Sequence, residues 1–319
     1  MSPAPTFETI PETVAAIRKA LPEGLHTPSV GIVCGSGLSG LVESLRDVTL
    51  VPYDGLPGFA KSTVPGHRSS LAFGFIGEKQ AVPVVAMLGR FHPYEGHSLS
   101  TVMYPIRVMA ALGIKDIIIT NAAGALNPEF SVGSIVVVRD HLALPGLSGF
   151  NPLIGPTFSP EVTRFLPVSG AYSPALRRLA FLAAHQLGLP SDDLVEGTYA
   201  WVSGPTYESP AEGTFLRRVG ADMVGMSTVP EVLAARELGV GVLVLSLATN
   251  KVVIPEKYRS IKEEVAAELA GKKIELPVEE VVSHAEVLEI GKIKGDVMRK
   301  LVAKIIDLIP ESVRDATQP

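Results

Sequence analysis

The chain has 319 residues, of which 46% are hydrophobic and 19% charged, and it carries a net charge of −5 at neutral pH. That much apolar material can fill a large buried core and excludes an extensively disordered chain. The acidic balance, with a pI near 5.8, excludes a protein devoted to nucleic acid, which needs a basic surface to neutralise phosphates. A small anion held by a few local donors remains compatible with it.

The first ten residues, MSPAPTFETI, contain an acid and no basic region. No secretory leader is expected, and the chain reads as cytoplasmic. The run VGIVC at 30–34 is the first candidate strand and ends in Cys34, the sole cysteine. A single cysteine permits neither an internal disulfide nor a cysteine-based zinc site, and its apolar neighbours make it a packing residue. Further β-branched runs lie at 82–88, 115–120, 134–138 and 240–247. They are apolar on both faces, as strands covered by helices on both sides are.

Helical spacing runs from Ser98 to Leu112 through Val102, Ile106 and Met109. Ser173–Pro174 reads as an N-cap and first turn, and Pro230 to Leu238 forms a third helix. Strands alternating with helices predict an α/β fold with a mainly parallel sheet. Arg139 to Ala171 is rich in proline and glycine without a period, which marks a long functional loop. Residues 254–282 carry a charge pattern that predicts one exposed helix followed by a turn at Pro277. No repeat or linker divides the chain, so a single domain is expected. The mean hydropathy of +0.31 raises the question of a membrane span. However, the longest apolar run, 238–249, reaches only about two-thirds of a bilayer-spanning helix and reads as a buried strand.

Six polar clusters stand out. GSGLSG at 35–40 matches G-x-G-x-x-G after a strand, with Asp54 about 20 residues on. It is open to three readings: a dinucleotide fingerprint, another phosphate cradle in which Ser36 supplies a hydroxyl, or a plain turn. GRFHPYEG at 89–96 offers Arg90 for bidentate phosphate contact, His92 as a proton carrier and Tyr94 as a semi-apolar donor. Alternation puts the three on one side if the segment is extended. Its alternative is a solvated loop with an ion pair to Glu95. NAAGALNP at 121–128 follows a strand, so Asn121 and the Ala122 amide form either an oxyanion cradle or an empty turn.

In VSGPTYESPAE (202–212), Glu208 beside Tyr207 is either a positioned carboxylate with an aromatic wall or a helix-start acid. In VGMSTVPE (224–231), Ser227 is a donor near a helix start, and Met226 is an apolar contact or a core residue. SLATNK (246–251) ends the most buried strand with Asn250, a polar amide that must find partners.

Taken together, these segments resemble the trimeric purine nucleoside phosphorylases. TVPGH (63–67), RDHLALPGLSGFNPL (139–153), EGTYAWVSGPTYE (196–208) and GADMVGMSTVPEV (220–232) extend the match in family order over about residues 30–300. The resemblance implies an α/β/α fold whose twisted mixed sheet partly closes into a barrel. It implies reversible phosphorolysis of purine (2′-deoxy)ribonucleosides to base and (deoxy)ribose 1-phosphate, with phosphate as co-substrate and neither metal nor organic cofactor. Carried over position by position, Ser36, Arg90, His92, Asn121, Ala122 and Ser227 resemble phosphate ligands, and His67 sits on a loop able to close over them. Tyr94 and Met226 resemble sugar contacts. Glu208 and Asn250 resemble the base-recognition pair, walled by Tyr207 and Val224. Asn250, Glu208 and His92 are thereby the residues expected to carry the chemistry. Phe165, in TRFLP, occupies the place of a phenylalanine that completes the neighbouring subunit's sugar site in a homotrimer.

The chemistry fits this set. Cleaving the glycosidic bond builds cation character at C1′, and the departing purine gathers negative charge that the protein must stabilise with donors. A glutamate accepting from N1–H selects 6-oxopurines, because adenine has no proton there. Two features depart from the family pattern. The interval after Asn250 is longer by on the order of twenty residues, a length that a surface insertion tolerates, so His284 aligns with the family histidine at the 5′-hydroxyl only across that insertion. Tyr207 stands where phenylalanine is common and adds a hydroxyl near the base. The nearest rival, a methylthioadenosine phosphorylase of the same fold, calls for an acid at position 250. A dinucleotide-dependent oxidoreductase leaves Asn121, Glu208 and Asn250 unexplained.

Overall fold

A computed structural model describes residues 5–35, 39–64, 67–77, 81–273 and 283–310. Nine strands occur among them: β1 (Val30–Cys34), β2 (Arg46–Pro52), β3 (Ser70–Ile76), β4 (Val82–Leu88), β5 (Asp116–Ala125), β6 (Ile135–Ala143), β7 (Leu194–Trp201), β8 (Met223–Gly225) and β9 (Gly241–Lys251). The α-helices are α1 (Ile10–Lys19), α2 (Leu99–Leu112), α3 (Leu144–Leu147), α4 (Pro174–Gln186), α5 (Pro210–Arg218), α6 (Val229–Glu237), α7 (Ile261–Leu269) and α8 (His284–Leu308).

The strands form one sheet in the order β2-β3-β4-β1-β5-β8-β7-β6-β9, and β9 returns to pair with β5. Five strands thus close into a barrel, and β1 to β4 extend from it as an open wing. The sheet is mixed: β2–β3, β3–β4, β5–β8 and β6–β9 pair antiparallel. The other five pairings, β1–β4, β1–β5, β5–β9, β6–β7 and β7–β8, are parallel, so the mainly parallel sheet expected from strand–helix alternation is present with an antiparallel minority, as the mixed sheet of the family resemblance implies.

Strand alternation divides the core between the two faces of the sheet. Val33, Val85, Ile117, Ile119 and Val244 point to one side, where they pack with Ile17 of α1, Met109 of α2 and Val232 of α6. Ile32, Val84, Ile118, Leu243 and Leu245 point to the other, against Ala180 of α4 and Leu301, Val302 and Ile305 of α8. Each such side chain stabilises the fold by roughly 1.5–3 kcal/mol when fully buried. Cys34 belongs to the second cluster, and burial pushes its thiol up to about 12. The helix starts follow local capping: Ser98 Oγ accepts from Thr101 N, and Ser173 Oγ accepts from Leu176 N ahead of Pro174. The exposed helix expected after residue 254 is α7, which buries none of its residues; Pro277 lies outside the described residues. Among the described residues, no helix is long and apolar enough to cross a membrane.

Three strands run further than their apolar cores predict. β5 continues through Asn121–Ala125, β9 through Ala248–Lys251, and β6 takes up Arg139–Ala143 from the expected loop. The reason is tertiary. β5 and β9 pair from Asp116↔Gly241 to Ala125↔Lys251, so small and polar residues are held extended by ladder bonds rather than by their own preference.

This topology leaves one opening. β1 pairs with β5 only as far as Ile119, and β8 joins β5 only at Gly124. The edge of β5 from Thr120 to Ala123 therefore has no strand on that side, at the carboxyl end of parallel strands, where α/β sheets accept ligands.

Candidate active site

A cavity of about 440 Å³ fills this opening. At one end its wall is Gly35, Arg90, His92, Asn121, Ala122 and Ser227; at the other it is Tyr207, Glu208, Val224 and Asn250, with Tyr94 and Met226 between. The eleven besides Gly35 are all candidate site residues read from the sequence.

Gly35 has the closest backbone approach. Its N–H donates to Thr120 Oγ1 at 3.1 Å, and a Cβ there would lie 2.7 Å from the Thr120 carbonyl oxygen. Beyond the loop stands a 3-10 turn, Ser39–Ser44, and not an α-helix. The dinucleotide reading needs a helix N-terminus behind the glycines and is corrected on this ground. Asp54, its would-be ribose ligand, is an exposed turn residue 3.2 Å from Lys61. Ser36 lies outside the described residues.

Arg90 is almost fully buried. Nη1 donates to Ser227 Oγ (2.8 Å) and Thr228 Oγ1 (3.1 Å), Nη2 donates to the Thr120 carbonyl (2.7 Å), and Nε lies 3.2 Å from Glu231 Oε1. The buried carboxylate compensates the guanidinium charge, without which burial is prohibitive. These contacts leave one Nη2 hydrogen free, so the bidentate fork expected from the sequence is largely spent on positioning. Asn121 is fixed in the same way: its Nδ2 donates to Thr228 Oγ1 at 2.8 Å, and Ser246 Oγ donates to its Oδ1 at 2.6 Å.

His92, Tyr94 and His67 form a stack rather than an extended row. Pro93–Glu95 is a 3-10 turn, yet the rings of His92 and Tyr94 stack at 4.6 Å and those of His67 and His92 at 5.6 Å. Glu95 does not pair with Arg90. Its Oε1 accepts from His92 N and Nδ1, and its Oε2 accepts from Ser62 and Thr63. Burial alone raises this carboxyl, but the bonds from His92 and Thr63 outweigh it and hold the group at about 2. With Nδ1–H committed to the carboxylate, neutral His92 offers Nε2 as an acceptor. Burial lowers both histidines, His67 to about 4, so neither is charged at neutral pH. His67 Nδ1 lies 3.2 Å from the Arg90 carbonyl, and its buried Nε2 has no partner among the described residues.

The opposite end rests on a bulge. β9 pairs Ala248 with Ala123 and then Asn250 with Gly124, leaving Thr249 as an extra residue. A bulge re-aims the side chains that follow it, and Asn250 enters the cavity wall with Thr249 Oγ1 donating to its Oδ1 at 3.1 Å. Glu208 sits at the mouth, its carboxyl raised by burial. Tyr207 is 40% exposed and Val224 buried. Gly204 is packed so tightly between Met226 and Tyr94 that a Cβ there would lie 2.4 Å from Met226 Sδ.

His67 and Phe165 are not among the residues that line this wall. Phe165 is 88% exposed on the chain's own surface. His284 opens α8, whose Val287 lines the cavity, but its side chain lies outside the description. Sequence reasoning missed Thr120, Thr228, Glu231, Ser246 and Gly124, whose partners lie far away in sequence. Only the positive φ of Thr228 marks its place, and no sequence signal announces it. Among the described residues, no group of three or more His, Cys, Asp or Glu is arranged to hold a metal.

Residues 29–306 match the phosphorylase superfamily. The chain belongs to that superfamily. Within it, the chain is 44% identical over 289 residues to the purine nucleoside phosphorylase of Rattus norvegicus (91% of this chain, 92% of the relative). It is 43% identical to a putative purine nucleoside phosphorylase of Schizosaccharomyces pombe (92% of this chain, 91% of the relative). The crystal structure of Schistosoma mansoni purine nucleoside phosphorylase in complex with inosine superimposes with a TM-score of 0.84 at 37% identity, covering 97% of this chain and 99% of the other. A purine nucleoside phosphorylase fold is thus established for the chain.

Proposed function

We propose that this phosphorylase cleaves 6-oxopurine nucleosides, inosine and guanosine and their 2′-deoxy forms, with inorganic phosphate, reversibly, giving the base and (deoxy)ribose 1-phosphate. One observation carries the reading: a single cavity joins a buried Arg90–Ser227–Asn121 end to a Glu208–Asn250 end across Tyr94 and Met226.

Phosphate sits at the first end, on the remaining Arg90 hydrogen, Ser227, Asn121 and the Ala122 amide, with Ser36 joining from its loop. Neutral His92 accepts a hydrogen bond from the hydroxyl of monohydrogen phosphate, because its Nε2 is the open acceptor. His67, with its unpaired Nε2, closes over the same anion. The bound anion attacks C1′ and stabilises the cation character that forms there, while Tyr94 and Met226 hold the sugar. At the second end, Asn250 donates to N7 as the purine gains charge, and Glu208 accepts from N1–H. Tyr207 and Val224 wall the base, and His284 at the start of α8 serves the 5′-hydroxyl.

Neither a metal nor an organic cofactor enters this scheme. The chain works as one domain, with 254–283 as a surface insertion, in the cytoplasm. It acts as a homotrimer in which Phe165 completes the neighbour's sugar site; an aromatic ring 88% exposed on the chain's own surface supports that role.

The test is to incubate the protein with inosine, guanosine, adenosine and methylthioadenosine, each with and without phosphate. Cleavage of the first two only when phosphate is present is expected. Phosphate-independent cleavage, or a preference for the adenine nucleosides, would contradict the reading.

A further inference from the structure

The most unusual backbone beside the cavity belongs to Thr228, directly behind Ser227. It has φ +81° and ψ −54°, and Val229 N donates to the Ser227 carbonyl at 3.0 Å, which closes a γ-turn around it. A β-branched residue in this region is strained. Such strain persists only where the surroundings fix the residue. Thr228 has no exposed surface, and its Oγ1 lies within hydrogen-bond reach of Arg90 Nη1 (3.1 Å), Asn121 Nδ2 (2.8 Å) and Ser227 Oγ (3.1 Å).

Proton accounting gives this cluster a direction. A guanidinium and an amide NH₂ only donate, and the Asn121 amide is oriented by Ser246, whose hydroxyl occupies Oδ1. The two lone pairs of Thr228 Oγ1 are therefore taken by Arg90 and Asn121. Of the three partners that its bonds reach, only Ser227 Oγ can accept its own hydrogen; the buried Tyr199 hydroxyl lies beside both side chains but makes no bond of hydrogen-bond geometry to either among the described residues. Ser227 Oγ now accepts from Thr228 and from Arg90 Nη1 (2.8 Å), so both of its lone pairs are filled as well. What remains on Ser227 is its hydrogen, at the wall of the cavity.

We infer that Thr228 is a positioning residue: its hydroxyl forces Ser227 to face the cavity as a donor only and aims Arg90 and Asn121 at the same anion. A serine free to rotate would offer a lone pair half the time and repel phosphate oxygens. One locked as a donor stabilises them without reorganisation. The strain is the cost of putting one oxygen between three partners from three elements. The inference rests on the phosphate end being as proposed, and its test separates the two.

Three variants at this position are compared by their Michaelis constants for phosphate and for inosine. Thr228→Val keeps shape and removes the hydroxyl, Thr228→Ser keeps the hydroxyl, and Thr228→Gly removes the hydroxyl while accepting φ +81° without strain. The phosphate KM is expected to rise by about tenfold to a hundredfold in Thr228→Val and Thr228→Gly, with the inosine KM changed less than about threefold. Thr228→Ser is expected within about threefold of the native enzyme for both. Thr228→Gly keeps the test decisive if Thr228→Val does not fold, since it relieves the backbone. An unchanged phosphate KM in Thr228→Gly, or equal losses in the serine and glycine variants, would overturn the inference. A native enzyme that needs no phosphate would overturn the underlying reading instead.

Discussion

Gly124 stands directly opposite Asn250 across β5 and β9, and a Cβ on Gly124 would lie 3.3 Å from the Asn250 amide nitrogen and 2.9 Å from Val252 Cγ2. The missing side chain is what gives the amide its place in the cavity wall. Gly124→Ala is therefore expected to displace Asn250 and lower kcat/KM for inosine by about tenfold or more, a loss of about 1.4 kcal/mol or more in transition-state stabilisation. The phosphate KM, set at the other end, should stay within about twofold. Steady-state kinetics with each substrate varied in turn checks both halves.

Phe165 lies in a segment anchored well away from it. The Arg107 guanidinium sits 3.6 Å over the Phe158 ring and is itself held by Glu237 at 2.6 Å, while Phe158 meets Phe7 edge to face. This anchoring holds the segment while the Phe165 ring is left exposed. Phe165→Ala is expected to raise the inosine KM by about tenfold, as loss of a buried aromatic contact implies, without changing the sedimentation coefficient of a trimer. A native protein that sediments as a fully active monomer contradicts the role.

Asp116 opens β5 and is only 8% exposed, and burial raises its carboxyl from 3.8 to about 6. The folded state thus holds the proton more tightly than the unfolded chain. Its contribution to stability is present below pH about 4 and is lost as pH rises through about 6. Asp116→Asn should therefore stabilise the protein at pH 7.5 by about 1–3 kcal/mol and change little at pH 4. Denaturant melts at the two pH values measure the difference.

The sequence was most legible where physics is local. VGIVC, VPVVAML and KDIIIT are strands because both of their faces are buried, and Ser98 and Ser173 cap helices because their hydroxyls reach the third amide. It was least legible where distant residues decide. NAAGA and ATNK read as loops because small and polar residues favour no strand, and only the β5–β9 ladder holds them extended. β2 escaped notice because most of it is exposed, and its hydrophobic signal is weak. The site clusters were visible as polar residues at strand ends, but their pairings were not. Glu95 is five residues from Arg90 yet serves His92, while the partner of Arg90 is Glu231, far along the chain. The Arg90 fork looked free because the residues that occupy it, Thr120, Ser227 and Thr228, are adjacent only in the fold.

The central claim is that Asn250 and Glu208 read a 6-oxopurine while Arg90 and Ser227 hold phosphate. It is tested most directly by the ratio of kcat/KM for inosine to that for adenosine, measured for the native enzyme and for Asn250→Asp at saturating phosphate. The native ratio is expected to favour inosine by about a hundredfold or more, because a site whose polar groups go unpaired rejects the wrong base strongly. In Asn250→Asp the carboxylate accepts from a 6-amino group, and the ratio should fall by about tenfold or more toward adenosine. An unchanged preference for inosine in Asn250→Asp would contradict the account.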